Sequence, residues 1–325
     1  MTRNFVKPNV VVSKCLEFDE CRYNGEVLPD ATVRNLLPFV TFTPICPEVE
    51  IGLGTPREVI RIVREGEDDK LVQPSTNEDL TDKMVNFTKT YLESLNEEVD
   101  GFLLKGRSPS CGIRDVKIYG GMEKAPTVAK GSGLFARGVN DQYPNLAIEE
   151  EGRLKNFTIR EHYFTKLFTL AEYRTLKNAE KISQLQQFHA KNKYLFMAYN
   201  QLRLKKLGRI LANNEKGPYE EVYNNYKEEL GMLFAKAPRY TSNINVCEHI
   251  FGYFSKQLTS NEKQYFLDLL EKYRERKIPL SSLTGVLKSW VIRFEDEYLL
   301  MQTYFEPYPE ELIAISDSGK GRSYS

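Results

Sequence analysis

The chain has 325 residues, with 45 Lys plus Arg against 45 Asp plus Glu, 41% hydrophobic residues, five Cys and three His, a length that fits one large domain or two. No apolar run approaches the roughly 20 residues of a membrane helix, so a soluble, cytoplasmic protein without membrane contact is expected. Five Cys spread over a long chain do not make the paired framework of a small secreted domain, and reduced thiols point to metal binding or catalysis.

The neutral total conceals two halves. Residues 1–154 hold 19 basic and 25 acidic side chains and 155–325 hold 26 and 20; of the 38 aromatic residues, 27 follow residue 154, and four of the five Cys precede it. A boundary at 154/155 is expected, between an acidic, Cys-bearing module and a basic, aromatic-rich one suited to a polyanion, although helical cores also use aromatic residues.

In chain order, Val10–Ser13 is a short β-branched strand, Phe39–Thr43 alternates as a second that Pro44 should stop, and Gly101–Leu104 is a third. Between the last two, Asn77 or Thr76 should cap a helix carrying Leu80, Met84, Val85, Phe87, Tyr91, Leu92 and Leu95. Strand, helix and strand predict an α/β N-terminal domain with a parallel sheet. From residue 155 on, Ile159–Leu176, Glu180–Tyr199, Tyr219–Phe234, Asn245–Leu258, Glu262–Arg276 and Leu280–Met301 show three- and four-residue apolar spacing, which predicts an all-α C-terminal helical domain over 155–308. Residues 309–325 end in a polar stretch expected to be disordered.

Cys15, Cys46 and Cys111 each follow a predicted strand end, in Gly- and Pro-containing loops. An open parallel sheet binds ligands outside the carboxyl ends of its strands, so these thiols are expected to meet there. Three thiolates without a neighbouring His suit zinc or an iron–sulfur cluster; Cys21 as a fourth ligand would close the site, and three ligands would leave it open. Alternatively, free Cys are small buried hydrophobes.

Cys15-Leu-Glu-Phe-Asp-Glu-Cys21-Arg-Tyr-Asn-Gly25, Cys46-Pro47-Glu48 with Gly52-Leu-Gly-Thr-Pro-Arg57, and Arg107-Ser-Pro-Ser-Cys111-Gly112 resemble, in order, the three signatures of the TudS-like thiouracil desulfidases. One departure is Glu17-Phe18, where that family usually has a small residue or Gly. Phe188-His189-x-x-Asn192-Lys193-Tyr194-Leu-Phe-Met-Ala198 with Leu207-Gly208 resembles the YbgA-like helical domain. The pair resembles the two-domain desulfidases that act on 4-thiouridine in transfer RNA. The resemblance implies a 4Fe–4S cluster held by Cys15, Cys46 and Cys111 with one open iron, Cys21 supporting the loop, and thiolated tRNA as partner.

Glu48, two residues beyond Cys46, is tethered where a base for water or a ring-nitrogen proton shuttle would act, or is a helix-capping acid. Ser108 and Ser110 either hold the pyrimidine edge or the water, or shape the turn. Arg22, Arg57 and Arg107 contact a phosphate or pyrimidine oxygen, or pair with local acids. Gly131–Gly138 has the look of a phosphate loop, but without a clear preceding strand it reads as a turn.

Lys191, Lys193, Arg203, Lys205, Lys206 and Arg209 form the candidate nucleic-acid surface, with Lys236, Arg239 and Tyr240 as a second cluster; the alternative is a solvated helix face. His162, His189, His249 and Cys247 read as packing or surface residues. The competing functions are desulfuration of free thiouracil or thionucleosides, and a non-enzymatic nucleic-acid-binding metalloprotein.

Overall fold

The computed structural model describes residues 3–95, 98–122, 125–179, 181–213 and 216–313. Two compact units divide these residues, one formed by Asn4–Arg174 with the segment from Glu311, the other by Thr175–Glu310 with Arg3.

The first unit is built on a four-stranded, all-parallel sheet in the order β2-β1-β6-β9: β1 is Asn9–Ser13, β2 Thr41–Ile45, β6 Gly101–Leu104 and β9 Ala147–Glu150. In register, Val10 lies between Phe42 and Gly101, and Val12 between Pro44 and Leu103. Pro44 does not stop β2, because β2 is an edge strand, where a missing N–H can face away from the sheet. A second, five-stranded sheet in the order β5-β4-β3-β7-β8 contains β3 (Arg61–Glu65), β4 (Asp68–Gln73), β5 (Glu78–Asp79), β7 (Val116–Tyr119) and β8 (Thr127–Gly131). Its strands are short and carry charges on the solvent side, so they escaped the apolar-run criterion; β3 has the pattern Arg-Ile-Val-Arg-Glu with Ile62 and Val63 buried.

Helices α1 (Ala31–Leu36), α2 (Pro47–Glu50), α3 (Thr81–Ser94) and α4 (Leu134–Gln142) complete the crossovers. The helix predicted to begin at Thr76 or Asn77 begins at Thr81: Asn77 has φ +58°, and Glu78–Asp79 pair with β4. The tight turn claims Asn77, a residue that tolerates the left-handed region, before it can cap anything. Alternation along the central strands divides the two faces of the parallel sheet. Val11, Phe102 and Leu104 join Met84, Leu92, Phe135 and Val139 of α3 and α4 in one core cluster. On the other face a Cβ at Gly101 would meet Leu167 Cδ1 at 2.9 Å, which places α5 (Phe157–Arg174) there. Tyr163 Oη of α5 donates to Phe102 O at 3.2 Å, and Arg174 pairs with buried Asp100 at 3.0 Å.

The two compact units divide after Arg174, beyond the expected boundary at 154. A parallel sheet needs both faces covered, and α5, although basic and aromatic in composition, covers one of them.

In the second unit the helices are α6 (Ile182–Lys191), α7 (Lys193–Tyr199), α8 (Gln201–Ala212), α9 (Tyr219–Leu233), α10 (Tyr240–Phe254), α11 (Ser260–Arg274), α12 (Leu280–Arg293) and α13 (Glu297–Leu300), with no strand among its described residues. The run 180–199 breaks at Asn192, whose buried side chain donates to Phe188 O at 2.8 Å and accepts from Thr303 Oγ1 at 2.7 Å. The aromatic residues are largely core: Phe188, Phe196, Tyr226, Phe234, Phe254 and Phe266 are at most 2% exposed. Of the expected disordered tail, Glu310–Leu312 form a 3₁₀ turn with Leu312 buried, and residues 314–325 lie outside the described residues. No helix among the described residues is long and apolar enough to cross a membrane.

Candidate active site

Strands β1, β2 and β6 are neighbours, so their carboxyl ends deliver three loops to one place. Cys46 follows β2 at once, Cys15 stands two residues past β1, and the 105–112 loop continues β6. Lys105 N donates to Ser13 Oγ at 2.8 Å and Lys14 N to Ile45 O at 2.8 Å, tying the loop roots together. They border a cavity of about 410 Å³ lined by Cys15, Cys21, Cys46 and Cys111, with Glu48, Arg57, Ser108, Lys14, Lys105 and Arg107 also on its wall.

The Cys21 thiol lies against those of Cys15 and Cys46; contact with Cys15, above the opposing effect of Cys46, pushes it up to about 11. Cys46 is raised further by Cys21 and then by burial, and Cys111, 6% exposed, is raised by burial first. Among the described residues no three Cys, His, Asp or Glu side chains are arranged to hold one metal ion. The wall carries four thiols and the Glu48 carboxylate, and no imidazole. Sulfur ligands without imidazole suit an iron–sulfur group, in which each thiolate takes its own iron, and bound metal would hold the thiols ionised against the crowding that raises them.

Glu48 is the hub of the polar contacts. Its Oε1 accepts from Ser110 Oγ at 2.8 Å and Ser108 Oγ at 3.3 Å, and its Oε2 from Arg57 Nη2 at 2.5 Å and Nε at 3.0 Å. Arg57, its side chain 4% exposed, also donates to Cys21 O at 2.9 Å and Gly54 O at 3.0 Å. One guanidinium thus joins the carboxylate to both the Cys21 loop and the turn after α2, using the fixed fork of Arg that Lys lacks. Arg57 therefore pairs with a local acid, and Arg22 does likewise with Glu26 at 3.4 Å, whereas Arg107 is exposed at the cavity mouth with φ +63°.

The two serines differ. Ser108 Oγ accepts from Ser110 N at 3.2 Å and Cys111 N at 3.1 Å, so it shapes the turn and lines the cavity at once. Ser110 is fully buried and faces only its partner carboxylate.

Several residues support the site through contacts that the sequence did not signal. The Gly131–Gly138 segment is neither a phosphate loop nor a free turn: Gly133 N donates to Gly112 O at 2.7 Å, and Leu134 N and Ala136 N, entering α4, donate to Pro109 O and Ser110 O at 3.1 Å each. A Cβ on Gly133 would fall 2.4 Å from Ser110 O, so glycine alone permits this clamp on the Cys111 loop. Glu150 accepts from Ile113 N at 2.6 Å on the far side of that loop, and Lys105 pairs with Glu151. Glu17 has φ +73°, which explains why its place in the motif favours a small residue; here the carboxylate binds Asp30 N and Arg34, anchoring the Cys15 loop to α1.

In the helical unit the six cations have different surroundings. Arg203 turns to Glu229 of α9 at 2.9 Å, and Lys191 and Lys193 lie over the Phe188 and Tyr194 rings. Lys205, Lys206 and Arg209 are exposed along α8. His189 is half-buried with Nδ1 2.9 Å from Tyr226 Oη, Cys247 is buried against Tyr304, and His249 is exposed. These residues hold no ligand spacing.

Comparison with known proteins gives a separate line of evidence. The family described as 2-thiouracil desulfurase matches residues 10–151, and a family of unknown function, DUF1722, matches 193–309. Uncharacterized protein YbbK of Bacillus subtilis (strain 168) is 32% identical over 133 residues, which is 39% of this chain and 86% of that protein. Uncharacterized protein YbgA of Escherichia coli (strain K12) is 28% identical over 156 residues, 47% of this chain and 92% of that protein. A solved structure titled [4Fe-4S]-dependent thiouracil desulfidase TudS shares 28% identity over 46% of this chain and 93% of its own, with a TM-score of 0.37.

Proposed function

Because the chain belongs to the 2-thiouracil desulfurase family through residues 10–151, joined to a DUF1722, YbgA-like region, we propose that it is an iron–sulfur desulfidase that converts 4-thiouridine in tRNA to uridine without net electron transfer. The observation that carries the reading is the meeting of the thiols with Glu48, Ser108 and Arg57 on one cavity, with buried Ser110 bonded to Glu48 behind the wall.

Cys15, Cys46 and Cys111, each from a different strand end, would hold a 4Fe–4S cluster, and Cys21, whose thiol lies against those of Cys15 and Cys46, would support the loop. When bound, the cluster supplies an open, electron-poor iron, a Lewis acid that polarises a thiocarbonyl sulfur. The remaining work belongs to the chain. A cavity of about 410 Å³ lies in the roughly 300–1,000 Å³ range of small-molecule sites and would be shared by the cluster and a substrate base, so a tRNA substrate must present its thiouridine unstacked. Ser108, at the cavity wall with the longer of the two hydroxyl bonds to Glu48, passes the proton of the incoming water to Glu48 Oε1. Ser110 and Arg57 keep that carboxylate aimed. The balance is thiocarbonyl plus water giving carbonyl plus hydrogen sulfide. The helical region binds tRNA through its cations.

One observation favours a second reading, a free thiobase as substrate: the matching family is described by 2-thiouracil, and its match is confined to residues 10–151. Anaerobic reconstitution, then thiolated bulk tRNA or 4-thiouracil, separates the two. Loss of near-UV thiouridine absorbance with stoichiometric sulfide from tRNA supports the first, and turnover of the free base alone supports the second. Glu48→Gln should retain iron and lower turnover about 10²- to 10⁴-fold; full turnover in this variant removes Glu48 from the mechanism.

A further inference from the structure

Two basic clusters that are separate in sequence meet in the helical unit. Lys205 of α8 and Lys236 and Arg239, which precede α10, line one groove of about 640 Å³, and no acidic residue lines it. None of these three side chains has a carboxylate partner among the described residues, unlike Arg203 on the adjoining face of α8. The rest of the wall mixes amide and hydroxyl groups of Asn200, Ser242 and Asn245, which both donate and accept, with apolar side chains such as Met197 and Leu202.

The groove has a direction. Along α10, Ser242, His249 and Tyr253 fall on one side of the helix by the seven- and four-residue spacing, and α10 packs on α7 beside that side. At 1.5 Å per residue Tyr253 stands roughly 16 Å from Ser242. There the Tyr253 ring, 44% exposed, lies 17° from parallel to Tyr298, with Tyr194 edge-on to both. A cationic groove that ends at Asn245, with a half-exposed, braced tyrosine roughly two turns farther along the same side of α10, suits a ligand with repeated phosphates and a flat π-face. An acidic peptide would use the cations and leave the ring without purpose.

We propose that this groove binds a short unpaired RNA segment, with phosphates at Lys205, Lys236 and Arg239 and a base stacked on Tyr253. The proposal rests on the reading that the helical region binds RNA, and it relocates the contact away from Lys206 and Arg209.

The test uses the full-length protein and three fluorescent probes: bulk tRNA, single-stranded hexauridylate RNA and poly-glutamate. Lys236→Glu with Arg239→Glu should weaken both RNAs at least tenfold and reduce the salt dependence by about two counter-ions. Tyr253→Ala should weaken hexauridylate about tenfold while Tyr253→Phe binds as wild type, since stacking needs the ring and not the hydroxyl. Lys206→Glu with Arg209→Glu should change little. If the groove variant binds RNA normally and the Lys206/Arg209 variant does not, the RNA-binding reading stands and the groove is wrong. If wild type binds neither RNA, both fall, and binding of poly-glutamate alone overturns the proposal in favour of an acidic partner.

Discussion

The α/β unit ties Glu48 and Arg57 to each other at the wall of one cavity, whereas the helical unit buries many of its rings and leaves three cations of one groove without an acidic partner among the described residues. In the first, Glu48 takes four donors and Arg57 serves three acceptor groups, so moving any one of these residues leaves another unsatisfied. In the second, Lys205, Lys236 and Arg239 have no acidic partner among the described residues. A preorganised polar network belongs where a reacting atom must be held within a fraction of an ångström. Unpaired surface cations belong where binding exchanges counter-ions and tolerates many sequences. The proposed division between chemistry and capture rests on this contrast.

The sharpest way to break that division is to remove thiols. Cys46→Ala and Cys111→Ala should each abolish bound iron and the brown colour, while Cys247→Ala, buried in the helical unit against Tyr304, should leave iron content unchanged. Cys21→Ala is the discriminating variant. Its thiol touches those of Cys15 and Cys46, but it is placed as a loop support, so iron per chain should stay near the wild-type value. Iron loss in Cys21→Ala equal to that in Cys46→Ala would make it a ligand.

A smaller effect tests the polar network. Arg57→Met removes the partner of Glu48 and the donor to Cys21 O while keeping most of the side-chain volume. An unpaired buried carboxylate should cost about 3 kcal/mol of stability. Arg57→Lys should recover only part of it, since one ammonium cannot serve the carboxylate, Cys21 O and Gly54 O in the geometry of the guanidinium. Thermal denaturation of the three proteins checks the order; equal stability of Met and Lys variants would reduce Arg57 to a simple charge.

What could be read from the residues follows the same division. Cys15, Cys46 and Cys111 were legible because a parallel register forces strand ends together, so loop position in sequence translates into position in space. Glu48 was legible by its tether to Cys46. Arg57 was visible as a motif residue but not as the partner of Glu48, and Gly133 was not legible as a clamp, because both act through contacts between segments that no local pattern records. The second sheet was missed because its strands are short and half-charged. On helices the translation from sequence to space fails differently: residues advance about 100° each, so Arg203 and Lys205, two apart, face a neighbouring helix and a groove respectively. Lys236 and Arg239, some thirty residues away, are the true neighbours of Lys205.

The weakest expected effect concerns the helical unit alone and sets its buried polar pairs against those of the active site. Burial, reinforced by the charge of Lys193, pushes His189 down to about 4, and its Nδ1 stays within 2.9 Å of Tyr226 Oη. The folded value lies below the ordinary value of about 6.5, so the unfolded chain takes up the proton first. Stability is therefore complete above about pH 6.5 and falls as the pH drops toward 4. One such group contributes about 1.4 kcal/mol per pH unit, or about 2 kcal/mol between pH 6.5 and 5. His189→Asn should be less stable at neutral pH, having lost part of the packing against Tyr226 and Phe196, yet should show a flatter decline with acid. The slope carries the prediction and not the absolute stability. An unchanged slope in the helical unit's own unfolding transition would mean that His189 accepts its proton without opening the core.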